Sequence, residues 1–213
     1  MIFRSNIEIV AGFLGAGKTI FINALLENTL IEKEKVLIIQ CEQGEKNIRV
    51  DIKEGSEVIT KKYEALKPLK SEYLRYAINL YNPHRIIIEH NGSRNINELL
   101  HLLDKSEISK LCKLLSIYNI IDSITYELFL NNMGTLILDS IYNSNLIILN
   151  NTKSISEEKL NSILKQLEKF NTDAFIMPVS NITDLSAVLN EKNILYKGFM
   201  KKVGLYLRNQ LSS

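Results

Sequence analysis

Apolar residues along the chain gather into short continuous runs, the pattern of strands covered on both faces, and between these runs the spacing turns helical. Ile7-Glu8-Ile9-Val10-Ala11 reads as the first strand, and Ile20-Phe21-Ile22-Asn23-Ala24-Leu25-Leu26 continues as a helix. Lys35 to Cys41 is a second buried strand. Residues 42–70 then turn polar and glycine-bearing, with a short strand at Glu57-Val58-Ile59-Thr60. This stretch reads either as a mobile segment beside a ligand or as a plain surface loop. Leu69, Tyr73, Leu74, Ala77, Ile78 and Tyr81 share one helical face, and Arg85-Ile86-Ile87-Ile88-Glu89 follows as a third core strand. Asn95 with Glu98 predicts a capped helix start before Leu99, Leu100, Leu102 and Leu103.

Leu114 to Asp122 is another strand, and a helix then runs to Tyr142 with Gly134 as an interruption. Asn145 to Asn150 is strand-like. Ser156 caps a helix with Glu157 and Glu158 in its first turn and an apolar stripe of Leu160, Ile163, Leu164, Leu167 and Phe170. Ala174 to Pro178 is a late strand. From Phe199 onward the chain reads as a basic amphipathic segment in which Lys201, Lys202 and Arg208 form a solvated face. The alternation predicts an α/β fold: a mostly parallel sheet with helices on both faces and its ligand at the carboxyl ends of the strands.

Length and composition narrow this picture without redirecting it. The 213 residues suit one domain spanning 1–213, and 46% hydrophobic with 23% charged residues supplies an ordinary core. A net charge of +2 is too small to argue for nucleic-acid or membrane partners. Cys41 and Cys112 are the two cysteines, too few for a disulfide scaffold. With no signal-peptide pattern and no apolar run of membrane-spanning length, the expected location is cytoplasmic.

Candidate chemistry concentrates between the first strand and helix. Gly12-Phe13-Leu14-Gly15-Ala16-Gly17-Lys18-Thr19 matches G-x-x-x-x-G-K-[ST]. In that strand-to-helix setting, backbone amides of a glycine-rich turn cradle phosphate oxygens at a helix N-terminus. Gly12, Gly15, Ala16 and Gly17 would form the cradle. Lys18 would reach the β- and γ-phosphates, and the Thr19 hydroxyl would ligate Mg2+. Glu89 ends a buried strand, where an acid can organise the metal or its waters, and Gly92 follows as a backbone donor to the γ-phosphate. The expected catalytic residues are therefore Lys18 and Glu89, and the expected metal residues Thr19 and Glu89. His90 reads as a hydrogen-bonded neighbour of that acid in preference to a general base. His84 and His101 belong to no constellation.

Val10 to Thr19, with its Phe13-Leu14, resembles the phosphate loop of the CobW-like (cobalamin-synthesis) proteins. Three further segments are similar in order. Cys41-Glu42-Gln43-Gly44-Glu45 resembles that family's Asn-Glu-Phe-Gly-Glu, and Ile86 to Gly92 its apolar run ending in Glu-x-x-Gly. Ile147-Ile148-Leu149-Asn150-Asn151-Thr152-Lys153 lies where the family has Leu-Asn-Lys-x-Asp. The likeness covers about residues 5–180. It implies a P-loop NTPase fold of the group that also holds the metallochaperones of urease and hydrogenase maturation. GTP as ligand, Asn150 at its base and a protein partner in cofactor or metal-centre assembly follow from the same resemblance.

Three departures temper what the resemblance implies. The family's Cys-x-Cys-Cys motif would fall before Glu89, but no cysteine stands between Cys41 and Cys112; Val58 to Lys67 occupy its place. Thiolate ligation of zinc or cobalt is thereby lost, and Cys41 with Glu42 makes a poor tetrahedral site. The aspartate that accepts from guanine is replaced by Lys153, a cation with donors only, so ATP competes with GTP as the expected ligand. The chain also ends where the family's C-terminal domain would begin. The leading expectation is a slow Mg2+-dependent nucleoside-triphosphate hydrolase acting as a switch. The alternative is a non-hydrolysing nucleotide-binding module that docks on a partner protein. A small-molecule kinase ranks last, because no arginine-rich lid is evident between the later helices.

Overall fold

The structure, a computed structural model, describes residues 4–42, 48–49, 51, 53–64 and 67–187. Its apolar runs become the strands β1 (Ser5–Ala11), β2 (Lys35–Gln40), β3 (Glu57–Lys62), β4 (Arg85–Glu89), β5 (Cys112–Asp122), β6 (Leu146–Asn150) and β7 (Phe175–Pro178). They pair in one sheet of order β3-β2-β4-β1-β5-β6-β7. Every neighbouring pair is parallel. β1 is central, and the chain winds to one side of it through β2 and β4, then to the other through β5, β6 and β7. Such a reversal opens a crevice beyond the carboxyl end of β1, where ligands of open parallel sheets bind.

Successive side chains of a strand serve opposite layers. On β1, Val10 packs under α1 (Lys18–Thr29) with Phe21, Ile22, Leu25 and Leu26. Ile7, Ile9 and Ala11 point the other way, toward α2 (Ser71–Tyr81), α3 (Ile96–Asp104) and α4 (Ser106–Ser109). On that same face α5 (Tyr126–Tyr142) and α6 (Glu157–Phe170) cover Ile121, Ile147 and Leu149 of β5 and β6. The fold is therefore the expected P-loop type of α/β protein, with helices on both faces of a parallel sheet.

Some local features differ from the sequence reading. The short strand expected at Glu57 to Thr60 extends to Lys62 and forms the edge of the sheet, paired along its whole length with β2. At the start of α3, Asn95 caps as expected, its Oδ1 accepting from the Asn97 N–H at 2.8 Å. Glu98 does not close a capping box; its carboxylate pairs with Arg94 at 2.6 Å. A guanidinium four residues upstream is a stronger donor for a carboxylate than a neutral amide. In α5, Met133 leaves helical geometry (φ −135, ψ 34) beside Gly134, the weakest helix former of that segment. Ser156 caps α6 by accepting from the Lys159 N–H. The basic segment from Phe199, Gln43 to Glu45, and Ala65 and Leu66 lie outside the described residues. No helix among the described residues is long and apolar enough to cross a membrane.

One polar cluster sits inside the layer beneath α1. Arg85 Nε on β4 donates to Glu8 Oε2 on β1 at 2.5 Å, and its Nη1 donates to Thr29 Oγ1 at 2.8 Å. Tyr118 on β5 donates to Glu8 Oε1 at 2.9 Å. Burial pushes the Tyr118 phenol well above its ordinary pKa, the nearby Glu8 charge adding to the effect. The cluster ties three central strands to the last turn of α1.

Candidate nucleotide site

The loop between β1 and α1 takes its shape from close approaches that only glycine allows. A Cβ on Gly12 (φ 134) would lie 2.3 Å from the Ile120 carbonyl oxygen of β5. A Cβ on Gly92 would lie 2.3 Å from the Gly12 oxygen and 2.7 Å from Phe13 Cα, so the turn after β4 is pressed against the loop. Gly92→Ala should therefore cost about 1–3 kcal/mol by overpacking. Chemical denaturation would read this directly, and a wild-type midpoint would show that the two backbones separate freely.

Gly17 (φ 110) forms the N-cap of α1, where no side chain caps the helix and no acid stands in the first turn. First-turn amides have no intrahelical acceptor, so with no side-chain cap here they are available as donors at the end of the loop. Lys18 is buried beside them. Its Nζ donates to Gly12 O at 2.8 Å, to Phe13 O at 3.0 Å and to Glu42 Oε2 at 2.5 Å. Thr19 Oγ1 donates to Glu89 Oε1 at 2.7 Å, and Gln40 Nε2 donates to Glu89 Oε2 at 2.6 Å. The Glu89 carboxylate, 3% exposed, is thus oriented from both oxygens. Asn150 at the end of β6 donates to Ala16 O at 3.2 Å and accepts from the Asn151 N–H at 2.7 Å.

The structure brings Gly12, Gly15, Ala16, Gly17, Lys18, Thr19, Glu89, Gly92 and Asn150 to one end of the sheet. Asn150 spends much of its amide bracing the loop, and Lys153 is exposed in the turn Thr152–Ser154. Gln40 is the residue that sequence reasoning missed. Its signal was there: a polar side chain directly after the apolar run Val36 to Ile39. Glu42, which the sequence places in a family-like segment and beside Cys41 as a poor metal ligand, here meets Lys18.

His90 is turned from the loop, with Nε2 3.1 Å from the Arg94 carbonyl oxygen. Burial lowers its pKa to about 4, leaving it neutral. Burial pushes the Cys41 thiol up to about 12, with the Glu89 charge adding to the effect, so this sulfur stays protonated. No group of three His, Cys, Asp or Glu side chains converges on a metal position among the described residues. On the far side of the loop, Phe13 stacks on Phe129 of α5 at 4.2 Å and 4° between planes.

A glycine-rich loop between a central parallel strand and an uncapped helix defines the class: a P-loop nucleotide-binding domain. The family model described as CobW/HypB/UreG, nucleotide-binding domain, matches residues 6–178, and the chain belongs to that family. No curated protein matches the chain. Among solved structures, the Zn(II)-bound YjiA GTPase from E. coli is similar at TM-score 0.60 and 17% identity, over 83% of this chain and 58% of that one. The hydrogenase maturation factor HypB from Archaeoglobus fulgidus is similar at TM-score 0.53 and 13% identity, over 98% and 90% of the two chains. FtsY from Mycoplasma mycoides gives 0.54 and 15%, over 86% and 63%. At such identities the likeness is one of fold. The chain spans little more than half the length of the YjiA chain.

Proposed function

We propose that the protein binds a purine nucleoside triphosphate with Mg2+ and hydrolyses it slowly, as a cytoplasmic switch in metal-centre or corrinoid cofactor assembly with a protein partner. The carrying observation is the convergence of Lys18, the open amides of α1 and the Thr19–Glu89 pair at the carboxyl end of β1. On this reading the loop amides and Lys18 take the phosphates, and the Gly92 N–H faces the γ-phosphate. Asn150 keeps the loop in shape through Ala16. Thr19 and Glu89 present a hydroxyl and a carboxylate, the hard oxygen donors that Mg2+ prefers alongside phosphate and water. When bound, the ion would neutralise charge between the β- and γ-phosphates. Gln40 holds Glu89 in place for it.

The second reading is binding without turnover, in a module that docks on a partner. It is favoured by Lys153, which stands where an acid would accept from guanine, and by the lack of any cysteine between Cys41 and Cys112. Calorimetric titration of GTP, ATP and their diphosphates with Mg2+, paired with a phosphate-release assay, separates the readings. Heat with release supports the switch; heat without release supports the module; no heat for any triphosphate rejects both. Because Lys153 offers only donors where an acid would accept from guanine, GTP and ATP should bind within about tenfold of each other. A preference for GTP of about a thousandfold would mean that another group supplies the missing acceptor.

A further inference from the structure

We propose that Glu42 is an internal competitor of the nucleotide's phosphates: its carboxylate holds Lys18 in the nucleotide-free protein and must leave before Lys18 can serve a ligand. This rests on the nucleotide-site reading above and adds its regulation. An ammonium has three donors. Those of Lys18 are spent on Gly12 O, Phe13 O and Glu42 Oε2, at 2.8, 3.0 and 2.5 Å. To meet a phosphate, Lys18 must give up one of them. The two carbonyls belong to the loop backbone, and losing them reshapes the cradle itself. Glu42 can leave by side-chain rotation alone.

Charge selects the same partner. A carboxylate and a polyphosphate tail beside one ammonium repel each other, and the repulsion is strong because the pair is nearly dry: Lys18 is 3% and Glu42 11% exposed. The position of Glu42 in the chain matters too. The Cys41 N–H still bonds Glu89 O at 2.9 Å, closing the sheet, so Glu42 is the first residue beyond that anchor. Nucleotide entry therefore releases a side chain at the root of the segment that follows β2. The carboxylate marks the empty state, and its departure marks the loaded one.

The test is titration of GTP and ATP into wild type, Glu42→Gln and Glu42→Asp, each in EDTA and in Mg2+, with melting of each nucleotide-free protein. In EDTA, Glu42→Gln should bind either triphosphate about tenfold or more tightly than wild type, because no anion need be displaced. The same protein should melt lower when empty, since Lys18 has lost its counter-charge. Glu42→Asp should show a smaller gain in affinity. If wild type binds but Glu42→Gln binds equally or more weakly in EDTA, Glu42 is no competitor and the nucleotide site stands. If no variant binds any triphosphate, the site reading fails and takes this proposal with it.

Discussion

Lys18→Ala should bind GTP and ATP at least about a hundredfold more weakly than wild type and release no phosphate above background. The magnitude follows from the charge-assisted hydrogen bond that Lys18 would give the phosphates, worth about 1.5–3 kcal/mol, and from the Glu42 charge left uncompensated beside them. Three effects are combined in that substitution. It removes the ammonium, frees the Glu42 carboxylate beside the phosphates, and unties the carbonyls of Gly12 and Phe13. Lys18→Ala combined with Glu42→Gln separates them. If the ammonium dominates, the double variant stays weak; if repulsion dominates, much of the affinity returns. Near-wild-type binding by a folded Lys18→Ala protein would remove the phosphate role of this lysine.

Arg85→Met should destabilise the fold by about 3–5 kcal/mol, because it strands Glu8 as an unpaired charge beneath α1. Against a total stability of about 5–15 kcal/mol for a domain, that loss can leave much of the protein unfolded at body temperature. Glu8 and Arg85 are both buried, and the Tyr118 and Thr29 hydroxyls complete the cluster. The combined Glu8→Leu, Arg85→Met protein should recover most of the loss, since two apolar side chains of similar volume need no partners. Urea denaturation of wild type, Glu8→Leu, Arg85→Met and the double variant gives the coupling. A single Arg85→Met cost below about 1 kcal/mol would mean that water reaches Glu8.

These two clusters mark where sequence reading succeeded and where it stopped. The phosphate loop could be read because G-x-x-x-x-G-K-[ST] is local: its spacing, the strand before it and the helix after it lie in one unbroken stretch, residues 7–26. The strand ending in Glu89 was legible for a similar reason, an apolar run closed by an acid. Gln40 was invisible as a partner of Glu89 because β2 and β4 lie far apart in the chain and meet only in the sheet. Glu8 carried no signal beyond its place in the first strand; its pairing with Arg85 needed the register that sets β1 beside β4. Asn150 was expected at the base, yet its contact with Ala16 depends on where β6 ends relative to the loop.

By itself the chain determined its alternation of strands and helices, its parallel sheet and its phosphate loop, because hydrophobic period and glycine placement act over a few residues. Only the folded molecule decided which side chains share the site, that Lys18 lies against Glu42, and that Glu89 is held from two sides. Those contacts join residues far apart along the chain, and no local pattern encodes them. They arise when strand order and register bring the ends of β1, β2 and β4 within hydrogen-bonding reach.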